Sequence, residues 1–507
     1  MNNPDEDTAA EQFGMGDKYF GICTMLSTMP GLPMFGHGQI EGFKEKYGME
    51  YRKAYYDEIP NIDFIERHNR EIFPLIKKRY LFSESENFQL YDLFNQEGNI
   101  NENVFVWSNS TRDEHAIVFF NNSYNSAAGW INTAASKLNQ PETSIGSSLR
   151  LQNSSRHYCI FKEQRSGLTF IRNSQNISEA GLYLHLNGYE CQVFMDFKEV
   201  YDETGQWKQL EANLNGKGTI DIYRDLRQIT LKEASGKLFD IFQKEMTEGL
   251  KDFILKKGNL SSVFLDHLQK KYSIFLNELK TSAYIDKQLL EEVGILFNET
   301  LKTIELLGSM NIEKNTKSSL WMKYIFRGFE IMPEVWTLLL VWITLFPLSK
   351  LISENKGLLL NIELLELIED LNINYAIESS LAAEGIDNSH FHEIVKLALI
   401  IPAHKKWSTN EITKKSGHLP MLEKYLDFPI ISDFIGRNYH QDIEWFKREN
   451  FQLFTWWIFI LNTLKLIDSN RNSKSINDIF NAITQWLEGE ENSDCQIDLL
   501  FESIRKL

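Results

Sequence analysis

Two short polar segments near the start of the chain carry the residues best suited to chemistry. The first is an acidic turn, Asn2-Asn3-Pro4-Asp5-Glu6, and the second is the loop Gly36-His37-Gly38-Gln39. A carboxylate such as Asp5 can stabilise positive charge that develops in a reaction, while the imidazole of His37 and the amide of Gln39 can hydrogen-bond a polar ligand. The structural alternatives are plain turns, with Asp5 or Asp7 capping a helix that starts near Thr8.

The elements between these two segments would bring them to one place. Residues Tyr19 to Met29 are apolar on most sides, as in a buried helix. The turn Pro30-Gly31-Leu32-Pro33 follows, and the apolar pair Met34-Phe35 then predicts a short buried parallel strand over residues 32–35. An acidic loop, a helix and a strand that ends in a polar loop resemble one unit of a (β/α)8 barrel. In that fold the loops after the strands share one mouth, so Asp5 and the 36–39 loop are expected to face each other.

The segment MPGLPMFGHGQ resembles the eighth-strand segment of the α-amylase superfamily, glycoside hydrolase family 13. Asn3-Pro4-Asp5 is similar to that family's fourth conserved region, and Asp63 to Leu81 to its eighth barrel helix. The following β region resembles the family's sandwich domain. The resemblance covers about the first 205 residues and implies a retaining glycosidase that acts on α-glucans or maltooligosaccharides. It implies that Asp5 stabilises the transition state and binds sugar hydroxyls.

Other residues near the second loop are candidates for binding sugar. His37 and Gln39 would hydrogen-bond hydroxyls from the barrel rim, or form a satisfied loop pair instead. Tyr47 is a candidate for stacking on a glucose ring, together with Tyr51, Tyr55 and Tyr56. The alternative for these tyrosines is a place in the core or in an interface. The nearby Glu41 and Glu45 are expected to be solvated.

Two departures from the family pattern affect the expected activity. Pro4 stands where many members have His, and a Pro here is similar to the maltosyltransferase branch, so transfer is an alternative to hydrolysis. The family's nucleophilic Asp and acid/base Glu lie on earlier strands and have no counterpart after Met1. A retaining glycosidase needs two carboxyl groups about 5 Å apart. We therefore expect the chain to be the C-terminal portion of a longer enzyme and inactive alone, or to pack on an upstream polypeptide that completes the barrel.

The rest of the chain predicts two further domains. Short apolar segments over residues 84–205, separated by Asn, Ser and Gly, favour an antiparallel β-sandwich. Residues 206–507 repeat apolar side chains at helical spacing, with tryptophans such as Trp336 and Trp456 expected in the core. The predicted fold is thus multidomain α+β: a terminal βα unit of a (β/α)8 barrel over 1–83, the sandwich, and a large all-helical domain.

Composition excludes several classes of partner. With 507 residues, a net charge of -17 and a pI of about 5.2, the chain is neither a nucleic-acid binder nor suited to anionic lipid. The apolar run Val335 to Leu348 is too short to span a membrane and predicts a core helix.

The four cysteines form no CxxC pair, and no phosphate-binding Gly loop is present, so no metal or cofactor is expected. A cytoplasmic location is the default. A non-catalytic glucan-binding or scaffold protein remains the alternative class.

Overall fold

The computed structural model describes residues 2–3, 5–46, 48, 52–135, 143–255, 262–283, 285–313, 320–352, 359–405, 418–467 and 473–507. The chain divides into two compact units, Met1–Ile229 and Thr230–Leu507. The first is a sheet-rich unit with short helices, and the second is almost entirely helical. This mixed architecture, with antiparallel sheets followed by a large helical part, agrees with the predicted α+β class.

The first unit is built on a six-stranded antiparallel sheet with the strand order β1-β2-β3-β8-β5-β6. A two-stranded sheet, β4-β7, lies beside one face of it. All eight strands of this unit lie within residues 84–205, the region for which the sequence predicts antiparallel β structure. The strands are β1 Gln89–Tyr91, β2 Val104–Ser110, β3 His115–Asn121, β4 Ala127–Ile131, β5 His157–Glu163, β6 Thr169–Asn173, β7 Leu182–Leu186 and β8 Cys191–Tyr201.

The central strand β3 is buried on both faces because a different layer covers each side. On one face, Ile117 and Phe119 share a core with Leu184 of the β4-β7 sheet. On the other face, Val118 and Phe120 pack with Phe82 and with helix α2. The helices of this unit are α1 Ala9–Phe13, α2 Asp17–Thr28, α3 Ile62–Glu71, α4 Phe73–Lys77, α5 Arg79–Phe82, α6 Ile145–Ser148, α7 Ser174–Ala180 and α8 Gln206–Leu214, while α9 Ile222–Ile241 runs on into the second unit.

The packing of α2 on the sheet depends on Gly21. A Cβ at this position would lie 2.0 Å from the ring of Phe120, a distance that no real contact tolerates. The absent side chain therefore lets the helix backbone approach β3 closely. As a consequence, the segment predicted as a separate domain over 1–83 shares a hydrophobic core with the sheet that follows it, and the boundary at residue 83 stays a prediction.

The segment between α2 and α3 differs from the expectation. Residues 32–35, predicted as a buried strand, belong to no strand, and the side chains of Leu32 and Met34 are 86% and 66% exposed. A parallel strand needs neighbours to pair with its N–H and C=O groups, and residues 32–35 have none in this structure. The helical segment that follows is interrupted near Pro74, since α3 ends at Glu71 and α4 begins at Phe73.

The second unit is a helical assembly with one continuous apolar core. Its helix Val335–Leu345 is buried at every residue, which confirms the prediction of a core helix in this run. The tryptophans at 321, 336, 342, 456 and 457 are all buried, as predicted. A short hairpin, β9 Asn438–His440 with β10 Ile443–Trp445, was not expected from the sequence. The further helices are α10 Lys244–Leu255, α11 Ser262–Ala283, α12 Lys287–Glu313, α13 Leu320–Ile331, α14 Val335–Leu345, α15 Ile362–Asp370, α16 Asn374–Ala383, α17 Phe391–Ala403, α18 His418–Leu426, α19 Pro429–Phe434, α20 Arg448–Ile467, α21 Ser473–Glu491 and α22 Ile497–Lys506.

No single helix among the described residues has both the length and the apolar composition needed to cross a membrane. The pair Leu320–Ile331 and Val335–Leu351 reaches these limits only when the two are taken together, and it is bent by 109°.

Candidate functional site

The two polar segments singled out from the sequence lie in contact, and Asn2 joins them. Its backbone N–H donates to Oε1 of Gln39 at 3.1 Å, and its side-chain Nδ2 donates to the carbonyl of His37 at 3.1 Å. A Cβ on Gly36 would lie only 2.4 Å from the carbonyl oxygen of Asn2, so glycine is needed for this close approach. The acidic turn and the 36–39 loop therefore form one small structure at the surface.

Asn2 also organises the helix that follows the acidic turn. Its Oδ1 accepts a hydrogen bond from the backbone N–H of Ala9 at 2.6 Å, at the start of α1. The residue at the N-cap position is Thr8, whose side chain makes no capping hydrogen bond. The structure thus does not use Asp5 or Asp7 as the cap, because a distant side chain satisfies this amide instead.

Asp5 is exposed, and its hydrogen bonds with described residues use its main chain. The backbone N–H of Asp5 donates to Oδ1 of Asn3 at 2.9 Å, and the carbonyl of Asp5 accepts from Nζ of Lys46 at 2.7 Å. The turn is held from both sides, and the carboxylate stays at the surface. This arrangement leaves the Asp5 side chain accessible to a ligand. The catalytic role of Asp5 stays a prediction.

Gln39 and His37 have different environments within one loop. Gln39 is 2% exposed, and its Oε1 also accepts from the backbone N–H of Gly36 at 3.3 Å. Its Nε2 has no hydrogen-bond partner among the described residues. His37 is exposed and lies 6.2 Å from the ring of Phe43, measured between centroids. Oε1 of Gln39 already accepts two hydrogen bonds that connect the two segments. A hydrogen bond from Gln39 to a ligand would therefore use its Nε2.

A buried polar network that includes Tyr19 and His68 packs against the Gln39 loop. The hydroxyl of Tyr19 lies 3.3 Å from the carbonyl oxygen of Gln39 and 2.9 Å from Nε2 of His68. Nδ1 of His68 lies 2.8 Å from the carbonyl of Phe64, to which it donates its proton. Nε2 of His68 is then left to accept the single hydroxyl proton of Tyr19, so this proton serves the shorter contact to His68 and is not donated to the Gln39 carbonyl at the same time. Burial lowers the pKa of His68 and raises that of Tyr19, so both stay neutral at pH 7. Sequence reasoning missed this network, since its members lie on two separate helices.

Two carboxylates, those of Glu45 and Glu58, close a second loop. Each accepts hydrogen bonds from backbone amides next to the other or a few residues before it. The Glu58 carboxylate accepts from the backbone N–H groups of Lys44 and Glu45, at 2.7 and 3.0 Å. The Glu45 carboxylate accepts from the N–H groups of Tyr55 and Tyr56, at 2.7 and 3.0 Å. Glu45 is only 5% exposed, which corrects the expectation that it is solvated. Its burial is explained by the two amides that satisfy its oxygens.

Two tyrosines of this loop, Tyr55 and Tyr56, lie at the surface. Tyr55 and Tyr56 are 81% and 62% exposed, which disagrees with the core alternative for these two residues. Tyr47 and Tyr51 lie outside the described residues. The exposed rings of Tyr55 and Tyr56 are available to a flat apolar partner, and a sugar face is one such partner.

Comparison with models of known protein families gave no match, and comparison with curated proteins gave none either. Among the described residues, no group of three or more His, Cys, Asp or Glu side chains is placed to hold a metal ion. The chemistry of the site must therefore be argued from its own residues.

Proposed function

We propose that this chain is the carboxy-terminal portion of an α-amylase-family glycosidase that acts on α-glucans or maltooligosaccharides by a retaining mechanism. The observation that supports this best is the contact between the acidic turn and the 36–39 loop through Asn2. These segments are separated by a helix in the sequence, and the resemblance requires them to share one substrate-binding mouth. In this proposal Asp5 braces the sugar in the transition state.

The proposal includes a barrel that residues 1–83 complete. Residues 32–35 would form its last strand only when neighbouring strands supply hydrogen-bond partners on both sides. The high exposure of Leu32 and Met34 supports this, because apolar side chains at a barrel strand are normally covered. Ile59 and Ile62, at 87% and 63% exposed, extend the uncovered apolar surface of this segment. The covering partner would be an upstream polypeptide that carries the earlier strands.

The retaining mechanism assigns three carboxyl groups to three tasks. A nucleophilic Asp attacks the anomeric carbon, and the glycosidic oxygen takes a proton from an acidic Glu as it leaves. Water then displaces the enzyme carboxylate, with the same Glu acting as base. In this proposal the first two groups belong to the upstream polypeptide, and Asp5 supplies the third. The 507-residue chain alone is then inactive, and it acts as a glucan-binding part of the whole.

The reduced state of the cysteines supports a cytoplasmic location as part of this proposal. Cys23, Cys159 and Cys191 are buried and unpaired, and Cys495 is also free. Burial raises the pKa of Cys23 and of Cys191 to about 12, so these thiols are poor nucleophiles for disulfide exchange.

The test begins with the genomic DNA directly upstream of the first codon. We expect one reading frame to encode barrel strands with an Asp nucleophile and a Glu acid. Joined to the present chain, that segment should release reducing ends from maltoheptaose, whereas the 507-residue chain alone should release none. Product analysis by mass spectrometry then separates hydrolysis from transfer, since transfer yields longer oligosaccharides.

The joined enzyme also allows a matched pair of variants. D5N should lower kcat by about a hundredfold or more, the usual cost of removing a group that stabilises transition-state charge. D7N, in the same exposed acidic segment, should leave kcat unchanged. Unrelated upstream DNA, or equal activities for D5N and D7N, would overturn the proposal and leave the non-catalytic glucan-binding class.

A further inference from the structure

The helical unit, for which the sequence predicts no chemistry, contains a cavity of about 680 Å³. It lies among α13, α17 and α20 and the segment between α13 and α14, all within the second unit. Pockets that take small organic ligands span about 300–1,000 Å³. The size of this cavity therefore fits a small organic ligand, rather than a trapped water.

One wall of the cavity is apolar and closely packed. Trp456 is 3% exposed, and its ring packs against Phe329 with a centroid distance of 5.4 Å at 83°. Gly328 makes room for this ring, since a Cβ there would lie 2.3 Å from its Nε1. Leu453 and Met332 extend the same lining. A flat or branched apolar group that lies on this wall would be removed from water, which favours its binding.

The cavity is also lined by an acidic side chain, that of Glu334 at the start of α14. Its carboxylate is half-buried and lines the cavity, yet its side chain forms no ion pair or hydrogen bond with another described residue. Burial raises the pKa of this carboxyl, although a hydrogen bond from the residue's own backbone N–H and the charge of His390 oppose that shift. A half-buried carboxylate that accepts only from its own backbone keeps unused hydrogen-bonding capacity, and a bound cation would offset the cost of its burial.

Two other carboxylates around the cavity are already engaged. Glu393 forms an ion pair with Lys447, and Asp387 accepts a hydrogen bond from the backbone N–H of Ser389 at 2.8 Å. With Glu449, four acidic side chains outnumber the basic Arg327 and His390 of the lining. The lining is therefore acidic, and Glu334 is its half-buried carboxylate that no other described residue holds.

We propose that this cavity binds a small organic ammonium ion with an apolar body. The ammonium group donates to the carboxylate of Glu334, and the body lies against Trp456, Leu453 and Met332. This site is independent of the proposed glycosidase activity, because it belongs to the helical unit and uses none of the residues near Asp5.

The test uses the full 507-residue chain and three probes that share one aromatic body. Isothermal titration calorimetry would compare 2-phenylethylammonium, neutral 2-phenylethanol and anionic 3-phenylpropanoate at pH 7.5. We expect the ammonium to bind at least about tenfold more tightly than the alcohol, as a charge-assisted hydrogen bond predicts, and the anion not to bind. Quenching of tryptophan fluorescence by the ammonium would give a second readout.

Glu334→Gln is the decisive variant, with Glu366→Gln as its control. Glu334→Gln removes a costly buried charge without changing the shape of the side chain, so it should fold and lose the preference for ammonium. Glu366 is exposed on α15 and does not line the cavity, so its variant should bind as the native chain does. Equal binding of all three probes, no binding of the ammonium at 10 mM (an upper limit of roughly 3 kcal/mol of affinity), or unchanged binding by Glu334→Gln would each overturn the proposal.

Discussion

At the scale of single residues, Asn2 has an unusual number of structural tasks for a residue so close to the N-terminus. It caps α1 through Ala9 and holds the 36–39 loop through His37 and Gln39. Asn2→Ala should lower the free energy of unfolding by about 1–2 kcal/mol, since it removes a helix cap and a second hydrogen bond. Urea denaturation would measure this change.

A matched control for that measurement is Asn125→Ala. Asn125 is exposed, and its backbone rather than its side chain makes its hydrogen bonds. Its substitution should change stability by less than about 0.5 kcal/mol. Equal effects of the two variants would show that Asn2 does not tie the turn to the loop.

His404 is a second residue with a predictable effect, this time on pH dependence. It is 1% exposed, and its Nε2 lies 2.8 Å from the hydroxyl of Tyr425. Burial lowers its pKa well below the ordinary value, and the charge of Lys465 acts in the same direction. The folded chain keeps His404 neutral, while the unfolded chain binds a proton below pH 6.5. The contribution of His404 to the free energy of unfolding is therefore fully present above that pH, and it decreases as the pH falls through and below it.

The size of this effect follows from proton linkage. One histidine that stays neutral in the fold costs about 1.4 kcal/mol of stability at pH 5.5, relative to high pH. Urea denaturation at pH 7.5 and 5.5 should show a smaller pH-dependent loss in His404→Gln than in the native chain. His440→Gln is the control, because His440 is exposed. A loss that is the same in all three proteins would contradict the assignment.

At the scale of elements, the contact of α2 with β3 makes Gly21 intolerant of a side chain. Gly21→Ala would force a Cβ into the ring of Phe120, so α2 or the ring must move. We expect destabilisation by about 1–3 kcal/mol, the usual cost of overpacking a core. Thermal denaturation followed by circular dichroism would measure it.

The control for this prediction is another helical glycine. Gly294 lies within α12, and a Cβ added there would meet nothing within 4 Å. Gly294→Ala should therefore stabilise the chain by about 0.5–1 kcal/mol through helix propensity. Opposite signs for the two substitutions are the expected result, and two stabilising substitutions would disprove the close approach of α2 to β3.

The comparison of sequence and structure also belongs to the element scale. Helices such as α20 and strands such as β3 were predictable, because their apolar side chains recur with the period of a buried element. The strand β4 was missed, since its residues Ala127 to Ile131 are mostly small and its place is set by pairing with β7. The strand predicted over 32–35 is absent because no neighbour pairs with it. Pairing partners are not encoded within a short window of sequence.

The candidate site was predictable only in part. The proximity of the acidic turn and the Gly36 loop agrees with the expectation drawn from the resemblance. Asn2 and the Tyr19–His68 pair, which contact the 36–39 loop, have no local signature, because Asn2 and Tyr19 reach Gln39 across 37 and 20 residues of sequence. The burial of Glu45 was unpredictable because its partners, the amides of Tyr55 and Tyr56, lie 10 and 11 residues further along an irregular loop.

At the scale of the whole molecule, the uncovered apolar segment predicts self-association of the isolated chain. Leu32 and Ile59 are 86% and 87% exposed, and exposed apolar surface of this kind promotes aggregation. The double variant Leu32→Ser/Ile59→Ser should sediment as a monomer at concentrations where the native chain forms larger species. Analytical ultracentrifugation would measure the difference.

Ile220→Ser provides the control, because Ile220 is also 87% exposed but lies in another part of the chain. It should leave the sedimentation of the chain unchanged. A monomeric native chain, or an equal effect of the control, would argue against a covering partner for residues 32–62.

The paired carboxylates Glu45 and Glu58 have a consequence for a chain that is cut. Arg52 and Lys53 are exposed and offer trypsin a site between the segments that these carboxylates join. After cleavage, four amide–carboxylate bonds and the shared core of α2 and α3 would still hold the two pieces together. The nicked protein should therefore elute from a gel-filtration column as one species and separate into fragments only in denaturant. Covalent continuity is thus dispensable at this point of the fold.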